Sequence, residues 1–371
     1  MRFERKGQRE MNRGDVKTIG LLSGGLDSTL ALVHMHRLGF QVTAYHFANG
    51  FHASLHAAKA KPLALATAER LGVPLKVIDN SRELLEIVKH PAHGYGSNMN
   101  PCLDCRIMAF RLTFARLAEE GAKFFFTGEV VGQRPMSQRR QAMMLIDREA
   151  GVEGYVLRPL SGRLLPPTIP ETEGLISRAE LLDISGRSRK RQMALAKEWG
   201  IETYESPAGG CTLTDPGFAL RMRDELRFGD PDVHEVQLLK VGRHFRLSPQ
   251  SKVILGRNAD DCRALQSLLG PQDLVIEARD MPGPLATIRG AAAPEAARQT
   301  AALVLRYAKA DPEREHVVTV SRGGALVEEL SLRPMSEAEA AGLLIAAEGG
   351  CGGFAQQLKD KQTHERFRGP E

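Results

Sequence analysis

Apolar positions in the first half of the chain switch repeatedly between a strand-like run and a helical period. Lys17–Leu22 (KTIGLL) is a short apolar run that stops at Ser-Gly-Gly. Beyond it Leu26, Leu30, Leu32, Val33, Met35 and Leu38 recur at helical spacing as far as Gly39, a helix stop. The pattern then predicts a strand over Gln41–Phe47, a helix over Pro62–Leu71 ending at Gly72, and a strand over Leu75–Ile78. A helix over Cys105–Glu120 and a strand over Lys123–Phe126 follow. Strands alternating with helices make βαβ units, so the expected fold class is α/β: a doubly wound, mostly parallel sheet with right-handed crossovers. The Pro/Gly-rich passage Pro166–Gly174 reads as a loop within this domain, since helical patterning resumes on both sides.

After Phe228 the turn residues Gly229, Asp230, Pro231 and Asp232 interrupt the pattern, and segments such as Asp273–Ala278 and His316–Ser321 look like strands of a smaller α+β unit. The expected division is a loose tail over 1–15, a catalytic domain over 16–228 and a second domain over 233–371. A length of 371 residues with 42% hydrophobic and 26% charged residues fits two globular domains and excludes a disordered or collagenous chain. No run approaches the roughly 18 apolar residues of a membrane span, and the basic N-terminus lacks the apolar stretch of a signal peptide. A cytoplasmic location with no membrane contact is the expectation. Five cysteines, an odd number, cannot form a dense disulfide scaffold and direct attention to metal or catalytic chemistry where they cluster.

The loop Ser23-Gly24-Gly25-Leu26-Asp27-Ser28 lies between a predicted strand and a predicted helix. Glycines let backbone N–H groups approach an anion at a helix N-terminus, and hydroxyls add donors. A carboxylate among phosphates is explained by a Mg²⁺ ion, which assigns Asp27 to metal-assisted nucleotide chemistry. No GK[ST] follows, so this is not the lysine-bearing P-loop. SGGLDS resembles the pyrophosphate loop of the PP-loop ATP pyrophosphatases, which cleave ATP between the α and β phosphates and pass AMP to a carbonyl oxygen. Thr127-Gly128-Glu129, Gly132-Gln133 and Ser137-Gln138 are similar to the TGExxGQxxxSQ stretch of tRNA 4-thiouridine synthetases, and Leu157-Arg158-Pro159-Leu160 to their LRPL segment. The resemblance implies an ATP-dependent tRNA uridine thiolase with ATP at Ser23, Gly24, Gly25, Asp27, Ser28 and Gly128, and Mg²⁺ at Asp27. Gly128 would let the strand end pack closely against the nucleotide.

Cys102-Leu103-Asp104-Cys105 sits just before a predicted helix, and Cys211 follows the glycine turn Pro207–Gly210. Three thiolates suit a metal with an open position better than a closed zinc site. A [4Fe-4S] cluster on Cys102, Cys105 and Cys211 would leave one iron for exogenous sulfur, as in the iron–sulfur-dependent tRNA thiolases this pattern resembles. Persulfide chemistry is the alternative, with Cys105 or Cys211 carrying sulfur and the other resolving a disulfide. Inert thiols are the third reading. Catalytic roles are expected for Asp27, Cys105 and Cys211, and structural ones for Cys262 and Cys351.

The 4-thiouridine synthetases carry an RNA-binding domain ahead of the PP-loop, whereas only about 15 residues precede the first strand here. RNA recognition is therefore expected from Val233 onward. Lys240–Arg246, Gly256–Asn258 and Met281–Pro284 resemble parts of the RNA-binding module of NFACT-type proteins. Lys240, Arg243, Arg246, Lys252 and Arg257 fall in a window, Val236–Asn258, without one acidic residue, which suggests a phosphate-binding stripe as against a solvated face. A second basic cluster, Arg187–Arg191, lies in the catalytic domain, with some residues expected on tRNA phosphate. The implied partners are tRNA and a sulfur donor, a cysteine desulfurase or sulfide. Thiolation at the other uridine carbonyl, giving 2-thiouridine, formation of 2-thiocytidine, and a non-enzymatic RNA-binding iron–sulfur factor are the alternatives.

Overall fold

Lys17–Leu21 forms β1, the middle strand of a five-stranded sheet in order β3-β2-β1-β4-β5. The other strands are β2 (Gln41–Ala48), β3 (Leu75–Asp79), β4 (Phe124–Thr127) and β5 (Val156–Leu157), and every pairing is parallel. The coordinates are a computed structural model that describes residues 13–51, 63–202, 204 and 211–345. Its helices are α1 (Leu26–Arg37), α2 (Leu63–Arg70), α3 (Ser81–Lys89), α4 (Cys102–Phe114), α5 (Leu117–Glu120), α6 (Arg140–Ala150), α7 (Ile169–Thr172) and α8 (Lys190–Glu198) in this first unit.

β4 shows why a continuous apolar run is needed here. Phe124 and Phe126 enter one core with Leu30, Val33 and Ala196, while Phe125 enters another with Ile107, Phe110 and Ile146. A parallel strand covered by helices on both faces must be apolar at successive positions. Each buried aromatic contributes roughly 1.5–3 kcal/mol. The doubly wound α/β expectation holds.

The second unit contains α9 (Pro216–Phe228), α10 (Val233–Leu238), α11 (Ala259–Leu268), α12 (Pro294–Tyr307) and α13 (Glu337–Leu343). Its six strands are β6 (Arg243–Ser248), β7 (Ser251–Leu255), β8 (Leu274–Ala278), β9 (Ala286–Gly290), β10 (His316–Arg322) and β11 (Ala325–Leu332). They form an antiparallel sheet in order β11-β10-β8-β9-β7-β6, with the buried face of α12 packed on it through Ala297, Ala301 and Val304.

Two expectations are corrected. The compact units are Met1–Cys211 and Thr212–Glu371, so the division falls before α9 and not after Phe228. Side chains of α9 explain this: Arg221 Nε donates to the Leu239 carbonyl at 2.7 Å, and Asp224 and Glu225 pair with Arg246 and Lys252. The helix expected from Cys105 begins at Cys102, so the CxxC is its first turn, and a break after Phe114 separates α4 from α5. The tails 1–12 and 346–371, with Cys351, and the turn Pro207–Gly210 lie outside the described residues. Among the described residues no helix is long and apolar enough to cross a membrane.

Candidate functional site

Three sequence motifs leave the sheet at its carboxyl edge, side by side. Leu21 of β1 is level with Thr127 of β4, and Phe126 with Leu157 of β5. The segments that follow are Ser23–Ser28, Gly128–Gln138 and Arg158–Leu160, at the edge where open α/β sheets bind ligands. Gly24 has φ of +87°, a conformation glycine adopts without steric cost, and Gly25 precedes α1 in extended backbone. The Ser28 hydroxyl donates to the Gly25 carbonyl at 2.9 Å and accepts from Ser23 N–H at 3.2 Å, which fixes the loop without any ligand.

A Cβ on Gly128 would lie 2.4 Å from Ser28 N and 2.5 Å from Asp27 C. The space that glycine leaves is filled by the loop backbone and not by a nucleotide, so Gly128 sets the height of the loop on β4. Asp27 Oδ2 accepts from Gln133 Nε2 at 2.9 Å, and Arg189 Nη2 lies 3.5 Å away. Asp27 Oδ1 is buried with no hydrogen-bond partner, and so are Glu129 Oε1, Gln133 Oε1 and Gln138 Oε1. Leaving a buried acceptor unsatisfied costs about 1–3 kcal/mol, so a group of them on adjoining segments marks a place built for donors or cations that arrive with a ligand. An unpartnered carboxylate oxygen on this loop fits Mg²⁺.

Glu129 is held from two sides. Arg158 Nε donates to its Oε2 at 2.9 Å while both Arg158 Nη atoms donate to Asp147 at 2.7 Å. Arg106 Nε lies 3.1 Å from Oε1, within ion-pair range but off the hydrogen-bond line. Burial alone would raise the Glu129 pKa; the Arg106 and Arg158 guanidiniums outweigh it and hold this carboxyl below its usual range. Sequence reasoning took the LRPL arginine only as a motif letter, passed over Arg106, and placed Arg189 only within a basic cluster expected on tRNA phosphate. Arg106 directly follows the CxxC, and Arg189 is the N-cap of α8, with helix only from Lys190 onward. Arg191 of the same basic cluster pairs with Asp183.

Cys102 and Cys105 share the half-buried first turn of α4, three positions apart and so on one helix face. Asp104 between them accepts from His93 N–H at 3.0 Å and faces His93 Nδ1 at 2.6 Å, tying the preceding loop to this turn. Burial raises both thiols above their ordinary pKa, and Arg106 and Arg134 pull Cys102 part of the way back. Cys211 is half-buried. Among the described residues no three His, Cys, Asp or Glu side chains gather at metal-binding geometry, so Cys211 does not join Cys102 and Cys105 as a ligand set here. Cys262 packs in the second unit, where its Sγ accepts from Leu285 N–H at 3.4 Å.

The expected basic stripe is not an open phosphate surface. Lys252 is 2% exposed with its Nζ on Glu225, Arg246 pairs with Asp224 and lies 4.7 Å over the Phe228 ring, and Arg257 pairs with Asp261. The acids come from α9 and α11, outside the acid-free window of sequence. Arg243 instead lies 4.9 Å over the Tyr307 ring, and Lys240 is half-buried.

A parallel sheet whose middle strand feeds a serine–glycine loop into a helix, with open buried acceptors at its carboxyl edge, defines an α/β nucleotide-binding domain of the PP-loop kind. Residues 14–164 match the family described as thiamine biosynthesis protein (ThiI), and residues 242–342 match the NFACT protein RNA binding domain. The two family models thus match separate stretches of the chain, the first within the parallel-sheet unit and the second within the antiparallel-sheet unit. The chain is similar to the tRNA-specific 2-thiouridylase MnmA of Xanthobacter autotrophicus, 28% identical over 203 residues that cover 52% of this chain and 49% of the relative. The MnmA of Rippkaea orientalis is 30% identical over 240 residues, covering 62% and 64%. The chain thus spans from about half to just under two thirds of the length of these relatives. Similar solved structures are a 4-thiouridine synthetase–RNA complex with bound ATP (TM-score 0.36, 21% identity, covering 61% and 53%) and the U34-tRNA thiolase NcsA of Methanococcus maripaludis with its [4Fe-4S] cluster (TM-score 0.32, 15% identity, covering 63% and 75%).

Proposed function

We propose that the protein is an ATP-dependent tRNA uridine thiolase. The observation that carries this reading is the buried, unpartnered Asp27 Oδ1 on the SGGLDS loop, within a stretch that matches the ThiI family model, ahead of one that matches an RNA-binding domain model. Ser23–Ser28 bind the pyrophosphate end of ATP through loop N–H groups and the N-terminus of α1. Mg²⁺, when bound at Asp27, neutralises developing phosphate charge. Arg189, which pairs with Asp27 at 3.5 Å, would supply a second positive charge beside the phosphates if Asp27 held the cation. A uridine carbonyl oxygen attacks the α-phosphorus and pyrophosphate leaves. Sulfur then attacks the activated carbon and AMP departs with the original oxygen, so one difficult exchange becomes two easier ones. The Glu129–Arg158–Asp147 pairing and Arg106 hold the CxxC helix in register with this edge.

Cys105 and Cys211 are the proposed sulfur carriers: a cysteine desulfurase passes sulfane sulfur from its own persulfide to one thiol, the outer sulfur attacks the activated carbon as AMP leaves, and the second thiol attacks the carrier sulfur, releasing the thiouridine and leaving a Cys105–Cys211 disulfide for an external thiol to reduce. Among the described residues no three ligand side chains gather as a three-thiolate [4Fe-4S] site would require, and persulfide transfer is the reading that needs no third ligand. A second reading of the product, 2-thiouridine, has only weak support from the 2-thiouridylase relatives. The test is pyrophosphate release from ATP with unmodified tRNA. Release that depends on tRNA supports the proposal, and release indifferent to tRNA removes it. Iron content of the anaerobic protein separates the sulfur routes: about four irons per chain means a cluster, and active iron-free protein means persulfide.

A further inference from the structure

The second unit neutralises most of the cations around its sheet, and this makes the exceptions informative. Arg246, Lys252, Arg257, Arg263 and Arg289 each have a carboxylate partner. Among the described residues Arg243, Arg298, Lys309, Arg322 and Arg333 have no ion-pair partner, and of these Arg243 and Lys309 lie beside Tyr307. Both belong to one corner. Arg243, on β6, stacks over Tyr307 at the end of α12, whose ring also meets Phe245 at 5.7 Å, and Lys309 stands two residues beyond Tyr307. Tyr307 and Lys309 line a cavity of 620 Å³ together with Arg306, Pro312, Met335 and Glu339.

That volume is in the range of a nucleotide-sized site. A guanidinium stacked on an aromatic ring keeps its in-plane N–H edge for phosphate and its outer face for a base. Lys309 has φ of +58°, the left-handed helix-end position where glycine is cheapest and where a non-glycine residue costs of order 1 kcal/mol or more. The chain keeps an exposed, unpaired lysine there at the rim of the cavity.

We propose that the Arg243–Tyr307–Lys309 corner is where the second unit grips RNA, taking a phosphodiester and its nucleotide from a single-stranded stretch. The proposal rests on the tRNA-thiolase reading and sharpens it, moving the contact from the acid-free window of sequence to the end of α12. Glu339, whose Oε2 caps Ser336 at the start of α13, is the one acid among the lining residues and opposes a phosphate.

The test is anisotropy titration of a fluorescent tRNA transcript with full-length protein at several salt concentrations. Arg243→Gln combined with Lys309→Gln should weaken binding by tenfold or more and flatten the slope of log affinity against log salt by about 0.7, from one lost phosphate contact on a single strand. Arg257→Gln with Arg263→Gln, both already on acids, should leave the slope unchanged. Glu339→Gln keeps the cap and should tighten binding severalfold, which gives an independent reading should the double variant misfold. Wild-type binding with unaltered slope in the double variant, or no tightening in Glu339→Gln, overturns this site alone. A wild type that fails to bind tRNA overturns both the site and the tRNA reading.

Discussion

The two units treat buried polar groups in opposite ways. In the first, Asp27, Gln133 and Gln138 each keep a buried oxygen unpartnered on segments that leave adjacent strand ends, Glu129 Oε1 has only the Arg106 ion pair, and Thr29, Asn80 and Gln192 carry further orphaned atoms on neighbouring elements. In the second, the buried Lys252 is closed by Glu225, and the orphaned side-chain atoms are His244 Nδ1 and Thr287 Oγ1. Unmet hydrogen-bonding capacity is a cost that folding alone gives no reason to keep, so where it gathers it marks the chemistry. Charge met internally marks architecture, even where sequence presents it as a basic stripe.

Asp27→Asn breaks this contrast most sharply. It preserves the shape of the loop and the Gln133 contact while removing the charge that meets a cation, so ATP cleavage should fall by on the order of 10² or more with folding intact. Pyrophosphate release together with a thermal melt checks both halves. An unaltered rate would show that the open oxygen has no role.

Arg158→Met compares buried with surface pairing. It strands Glu129 and Asp147 without their shared cation and should cost about 3–5 kcal/mol. Arg257→Gln, on a half-exposed i,i+4 pair with Asp261, should cost under about 1 kcal/mol. Denaturant titration of the two variants measures the difference. Equal losses would mean that the Glu129 network is no more than another surface contact.

Much of the first unit was legible because its punctuation is local. Glycines bound β1 and α1, and the FFF run of β4 can only be a strand covered on both faces. The start of α4 was misread because the order of its first turn comes from His93 gripping Asp104, a contact across a loop that no periodicity records. The stripe was misread for a related reason: Asp224, Glu225 and Asp261 neutralise it from helices outside the window in which charge was counted. Site motifs could be located from sequence, but the clamp by Arg106 and the reach of Arg189 to Asp27 depend on how neighbouring strand ends align.

The smallest effect separates the units by pH. His244 is buried, with Nε2 2.8 Å from the Val241 carbonyl, and burial with Lys252 and Arg221 nearby holds its pKa well below the ordinary value of 6.5. A lowered folded pKa gives stability that is complete above the unfolded pKa and declines as pH falls below it. Melting of the second unit should therefore weaken from about pH 6.5 downward. In His244→Gln, whose amide can keep the Val241 bond, that decline should flatten. Parallel pH profiles for variant and wild type would show that another group is responsible.

The central claim is sulfur-for-oxygen exchange on uridine driven by ATP. Unmodified tRNA incubated anaerobically with the protein, ATP, Mg²⁺, cysteine, a cysteine desulfurase and a thiol reductant, then digested to nucleosides and weighed by mass spectrometry, tests it most directly. The account predicts a thiouridine that appears with wild type and disappears with Asp27→Asn. Uridine left unchanged while ATP is cleaved in a tRNA-dependent way would contradict it.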